Sequence, residues 1–313
     1  MDSGLVSVFL TAILPVLTTF VIGFIAGHLG HFSVVNATAI NRMVAYYTLP
    51  LGLFSGMMAT PKIVLLAMGQ QSVLLAAALV LSWVIPFLLL RFVMRRGLAD
   101  STLLALVVGT PSVLFIGLPV LEPLVGSPST LLVVVTGLVQ NFVLIPGCLY
   151  LLAVSSHQAS PGSAWYVQAL GVAKQPMVLA PFVAFLMVLG SIQLPDYLLQ
   201  SCKLLGNATG GLALFSAGFV LQTYRLTFNA TSLLPVAIHN VLIPGIAFVV
   251  LKGMEMSTEV IRQVVLTLAI PIGSITLIIA MQYKRHEREV ASAVALSTAF
   301  SLLTMGALLA LTH

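Results

Sequence analysis

Two short stretches concentrate the residues able to do chemistry. Gly109 to Pro123 reads GTPSVLFIGLPVLEP, and Leu268 to Thr276 reads LAIPIGSIT. Both lie inside apolar runs long enough to cross a bilayer, yet the first carries Pro111, Pro119 and Pro123 and the second carries Pro271 and Gly273. A proline lacks its own N–H and leaves the carbonyl four residues earlier without a partner, so Pro111 would free Val107, Pro119 would free Phe115 and Pro271 would free Thr267. Backbone left open at membrane depth is tolerated only inside protein or beside a wet cavity. Two half-helices that meet there would aim unpaired N–H groups and positive dipole ends at one point, and so bind an anion without a buried Lys or Arg. Further donors stand close by in the sequence: Thr110 and Ser112 at the first break, with Gly117 between its prolines, Ser274 and Thr276 at the second, and Asn141 in LVQNFVLIP. Each of these side chains could instead bond back to its own helix or bridge two helices.

Coupling to an ion gradient needs a group that titrates or coordinates. Glu122 follows the first break directly, and His239 falls within the apolar text AIHNVLIPG; these two are the candidates for carrying a proton. An acid solvated at the interface and a neutral hydrogen-bonded histidine are the plainer alternatives. No mid-membrane cluster of acids and amides suggests sodium, although backbone carbonyls could build such a site. An intramembrane enzyme would need an Asp-rich or His/Glu metal pattern, neither of which occurs, or a Ser–His pair on facing helices. The rings of repeated charge expected of a channel are absent as well. Cys148 and Cys202 fall inside predicted spans and define neither a disulfide framework nor a metal site. No cofactor is expected.

The elements that position these residues follow from composition. Of 313 residues 59% are hydrophobic and 7% charged, too few charges to cover a water-exposed surface. The net charge of +5 is spread singly and in small groups between apolar runs, which sets topology and is no nucleic-acid footprint. The pattern predicts an all-α polytopic membrane protein with ten spans, near 4–29, 39–59, 68–94, 101–122, 129–154, 174–192, 196–221, 230–251, 259–283 and 289–311. The Lys and Arg count of the connections places both termini on the extracytoplasmic side of the cell (inner) membrane. GFIAG (Gly23, Gly27) and GNATG (Gly206, Gly210) are small-xxx-small spacings that suit close packing between helices of the chain or between the protomers of a homodimer.

The halves answer one another. Phe54 in LGLFSGM and Phe215 in LALFSAGF are 161 positions apart, Pro111 and Pro271 160 apart, and Pro86 in WVIPF and Pro244 in VLIPG 158 apart. Residues 1–154 therefore read as a first repeat of five spans, 155–173 as a connecting interfacial segment, and 174–313 as a second repeat. Five is odd, so the second copy enters the membrane inverted, as in many secondary transporters.

INRMVAYYTLPLGLF, TPSVLFIGLPVLEP, LALFSAGFVLQ and the run from LAIPIGSITLIIAMQYKRHE to LSTAFSLLTM resemble the auxin efflux carrier family over essentially the whole chain. The likeness is greatest to compact bacterial members that include proteins assigned to malonate, malate or related carboxylates. It implies crossing, unwound fourth and ninth helices, a scaffold of spans 1, 2, 6 and 7, and a transport unit of spans 3–5 and 8–10 that moves as an elevator. Ser112 stands where many relatives carry Asn, and the long hydrophilic central loop of the plant carriers is missing. The expected function is secondary transport of a small organic anion such as malonate, malate or oxalate, with Thr110, Pro111, Ser112, Gly117, Asn141, Pro271, Gly273 and Ser274 about the substrate. Sodium coupling and efflux of an auxin-like aromatic carboxylate are the alternatives.

Overall fold

The computed structural model describes residues 3–32, 34–66, 69–113, 117–126, 128–155, 170–171, 173–224 and 227–312. Most of the expected connecting segment 155–173, with Trp165 and Tyr166, lies outside the described residues, as does Phe115.

With so few charges, these segments must satisfy their own backbone, and they do so as helices. In the first half α1 (Ser3–His28) precedes α2 (Val34–Met43) and α3 (Leu49–Met58), which are joined by a π turn over Val44–Thr48. The short α4 (Lys62–Leu66) leads to α5 (Gln70–Leu88), which ends in a second π turn, Leu89–Val93. Next come α6 (Leu98–Gly109), α7 (Leu118–Val125), and α8 (Ser129–Val139), which runs through the π turn Gln140–Leu144 into α9 (Ile145–Ser155). The second half holds α10 (Pro176–Leu189), α11 (Asp196–Tyr224), and α12 (Ala230–Ala237), which continues through the π turn Ile238–Leu242 into α13 (Ile243–Gly253). It closes with α14 (Thr258–Leu268), α15 (Ser274–Gln282) and α16 (Glu287–Leu311).

Each of the ten predicted spans falls on helix, and the fourth and ninth are broken: 101–122 becomes α6 and α7, and 259–283 becomes α14 and α15. Among the described residues three continuous helices, Gln70–Val93, Ser129–Ser155 and Ala230–Gly253, are individually long and apolar enough to cross a membrane, or four counting α16 with its bend. Three of the π turns end two residues before a proline, at Pro50, Pro146 and Pro244. A π turn inserts one extra residue, which lets the helix pass a residue that can neither donate nor pack against the preceding turn. At α12 the Asn229 side chain caps the start, accepting from Ser232 N at 3.0 Å.

Packing sorts the helices into two groups. One consists of α1, α2, α3, α10 and α11, with α11 lying along α1 and against α3. Glycines set the closeness of these crossings. A Cβ on Gly27 would meet the Phe219 Cβ at 2.8 Å, Gly23 lies against the Phe215 backbone, and Gly206 lies against Gly52. The small-residue spacings at Gly23, Gly27 and Gly206 thus serve helix packing within the chain. The other group consists of α5, α6, α8 and α9 together with α12 to α16, and contacts between the groups are sparser. At one end Arg285 pairs with Asp100 at 2.9 Å, tying the start of α6 to the turn after α15. Both side chains are partly exposed, so the pair contributes at most about 1 kcal/mol.

Candidate functional site

The two breaks cross, and they do so as a single antiparallel β-bridge between Pro111 and Ile272. Ser112 N donates to Pro271 O at 2.8 Å and Gly273 N donates to Thr110 O at 2.8 Å. Among the described residues this is the one place where extended backbone pairs. Gly273 is needed here for closeness: a Cβ would lie 3.2 Å from Thr110 O and 3.4 Å from Pro111 O. Pro111 and Pro271 contribute by lacking an N–H, so neither α6 nor α14 can extend its ladder through them.

An opened helix end presents carbonyls that its own ladder no longer uses. Here several meet donors from other elements. Val108 O lies 2.7 Å from Nδ1 of His239, Thr110 O accepts from Gly273 N, and Pro111 O accepts from Gln140 Nε2 at 2.7 Å, while Gly109 O lies 3.4 Å from the Ser82 hydroxyl, whose proton goes to Leu79 O at 2.7 Å. On the second strand Ile270 O lies 2.7 Å from Nε2 of His239, and Pro271 O accepts from Ser112 N. The N–H of Ile272 donates to Ser297 Oγ at 2.9 Å. That hydroxyl donates to Asn240 Oδ1 at 2.6 Å, and Asn240 Nδ2 donates to Ser297 O at 2.9 Å. Gln140, His239 and Asn240 all sit on π turns. The widened turn that accommodates Pro146 or Pro244 also places polar side chains at the crossing, a common use of such turns.

Beside the bridge lies a pocket. Pro111, Ser112, Gln140, Asn141, Gly273 and Ser274 form its polar wall, and Leu49 and Leu53 of α3 with Ile275 and Ile278 of α15 its apolar wall. Every polar wall residue comes from one packing group, while Leu49 and Leu53 come from the other. No side chain caps α15; the Thr276 N–H donates to Gly273 O at 3.1 Å, and those of Ser274 and Ile275 are left without a partner among the described residues. Asn141 is 6% exposed, Ser112 8% and Ser274 4%, and among the described residues none of their side chains has a protein partner. The wall contains no acid, Lys or Arg. An amide, two hydroxyls and a positive helix end, enclosed and unpaired, suit a small anion.

Of the residues expected about the substrate, Pro111, Ser112, Asn141, Gly273 and Ser274 come together in this pocket. Pro271 lies one step behind it in the bridge. Thr110 is fully buried with its hydroxyl unpartnered among the described residues, and it contributes its backbone to the crossing. Gly117 stands outside the lining, at the start of α7, where a Cβ would press on Val113 and Val133 at 3.1 and 3.2 Å. The Thr276 hydroxyl bonds back to Gly273 O at 2.8 Å, within its own helix. Glu122 is exposed on α7 and away from the pocket, whereas His239 is buried between the breaks. The expectations did not include Gln140, Asn240, Ser297 or Ser82. A signal for the first two existed: VQNFVLIPG and AIHNVLIPG each set a polar pair a few residues before Ile-Pro-Gly.

An apolar helical chain whose two broken helices cross over a donor-lined pocket is built as a membrane transporter. The chain matches the family described as membrane transport protein over residues 8–309, and it belongs to that family, the auxin efflux carriers. It is 28% identical over 295 residues to the uncharacterized transporter YfdV of Escherichia coli strain K12, covering 92% of this chain and 93% of that one. The same figures hold for YfdV of Escherichia coli O157:H7 and of Shigella flexneri.

Proposed function

We propose that this transporter is a secondary carrier of small organic anions, mono- or dicarboxylates of the size of malonate, malate or oxalate. The observation that carries the reading is the unpaired donor set of Ser112, Asn141, Ser274 and the α15 N-terminus, buried beside an acid-free wall. A carboxylate would accept from the Asn141 amide and the serine hydroxyls while its charge met the positive end of α15. The ten spans are read as two inverted repeats of five, with both termini extracytoplasmic. An elevator motion is supported by the division into two packing groups, with the polar wall carried on one and the apolar Leu49 and Leu53 on the other.

For coupling we favour the proton over sodium. Sodium would need free carbonyls at the crossing, and Val108, Thr110, Pro111, Ile270 and Pro271 already face donors. Of the two titratable groups expected, the exposed Glu122 is set aside in favour of His239. The test is uptake into proteoliposomes of a labelled panel of two- to six-carbon carboxylates under imposed pH, sodium and voltage gradients. Saturable flux with counterflow by unlabelled anion supports the carrier. Flux of none of the panel under any gradient sinks it, non-saturable flux points to a channel, and hydrolysis of a lipid or peptide points to an enzyme.

A further inference from the structure

His239 joins the two breaks and is not part of the pocket lining. Both ring nitrogens lie 2.7 Å from carbonyl oxygens, Nδ1 from Val108 O and Nε2 from Ile270 O, and the residue is 1% exposed. A carbonyl only accepts. A neutral imidazole has one N–H and one bare lone pair, so one of the two contacts would set lone pair against lone pair at hydrogen-bond distance. The imidazolium alone donates to both. The carbonyls are also placed to receive a cation: Val108 is the penultimate residue of α6 and Ile270 lies two residues beyond α14, so each belongs to the negative end of a helix dipole.

Among the described residues no carboxylate faces the ring, so the charge would be held by the two carbonyls and the helix ends alone, against the cost of burial. The π turn carrying His239 packs against α6, α16 and its own α12 and α13, and meets the end of α14 at Ile270. The titratable groups of these elements are Asp100, Lys252, Glu259, Arg262, Glu287, Arg288 and Glu289. Each stands eight or more residues along its helix from Val108, Ile270, His239 or Ser297, roughly 12 Å or more.

We propose that His239 is an imidazolium and serves as the crossing's built-in cation, clamping the carbonyl ends of the two broken helices together. It is a positioning residue: its two protons hold α6 and the strand at Ile270 in the register that aligns Ser112, Gly273 and Ser274 in the pocket wall. Loss of one proton releases one helix end. The inference rests on the crossing itself and holds whichever anion is carried.

The test is 15N NMR of the full-length protein in nanodiscs, labelled at histidine, with His239 assigned by its absence in His239→Gln. At neutral pH both ring nitrogens of His239 should show the protonated signature. The thermal midpoint of the wild type should fall as alkaline titration removes that signature, a slope that His239→Gln loses. If the Gln variant does not fold, a chain with the other five histidines replaced gives the assignment, and its midpoint is followed through the same titration. A single neutral tautomer at neutral pH overturns the proposal, as does a midpoint that does not follow the loss of the proton. Neither readout uses substrate, so failure here leaves the carboxylate reading standing and the reverse.

Discussion

The carbonyl face of the crossing is the set of oxygens of Val108, Thr110, Pro111, Ile270 and Pro271, each of which meets a donor from another element. The donor face is the side chains of Ser112, Asn141 and Ser274 with the N–H groups of Ser274 and Ile275, which no described residue takes up. Both faces are buried in the same few residues of backbone, so burial does not separate them. An unpaired buried polar group costs about 1–3 kcal/mol. That cost has been removed from the carbonyl face and left in place on the donor face. The filled face is therefore read as structure, which fixes where the breaks sit, and the unfilled face as the place a ligand completes.

The sharpest way to break this comparison is to remove the breaks. Pro111→Ala or Pro271→Ala restores an N–H and lets α6 or α14 extend. Either should reduce transport by an order of magnitude or more at comparable folded yield, while Pro15→Ala in α1 should change it little; equal effects across the three would end the special role of the breaks. Next in size, Asn141→Ala should lower carboxylate uptake about tenfold or more, since a hydrogen bond to a charged group contributes about 1.5–3 kcal/mol, and should leave the thermal midpoint near the wild type. Gln140→Ala, one residue away in the same wall, should differ by also lowering stability. It strips the donor from Pro111 O and should destabilise by about 1–3 kcal/mol, read as a lowered thermal midpoint. If Asn141→Ala unfolds the protein as readily as Gln140→Ala, the two faces do not differ in the way described.

Ser112→Asn sharpens the donor face, because it lengthens one donor and replaces a hydroxyl with an amide. A changed order of preference across the carboxylate panel is the expected result. The smallest effect is expected far from the crossing. Burial pushes the Glu287 carboxyl above the usual carboxylate range, with Lys284 pulling it back. The folded state then holds this proton more tightly than the unfolded chain. The stability it contributes is present below the ordinary carboxylate range and is lost as pH rises through the higher folded value. Glu287→Gln should flatten that shallow acid-side slope in the thermal midpoint and leave uptake unchanged.

Much of the fold was legible in order. The ten apolar runs fall on helices, and the two stretches crowded with Pro and Gly are the two that break, because a missing N–H acts locally and needs no tertiary information. The site was legible in part. Pro111, Ser112, Asn141, Gly273 and Ser274 could be picked from their types and neighbours, but Gln140, Ser297 and Asn240 could not. Their roles depend on which orphan carbonyl or N–H each one reaches, across separations of 29 residues for Gln140 to Pro111 and 25 for Ser297 to Ile272. The π turns had a local cause in Pro50, Pro146 and Pro244, although the text before them reads as ordinary helix.

By itself, then, the sequence determined that this chain lives in a bilayer, that it is helical, and where its helices cannot continue. Scarce charge and proline sterics decide those matters within a few residues. Only the tertiary structure decided that the two interruptions meet each other, that His239 spans both, and that one face is left with donors to spare. Those outcomes depend on which buried polar groups find partners, and that is settled by packing elements far apart in the chain.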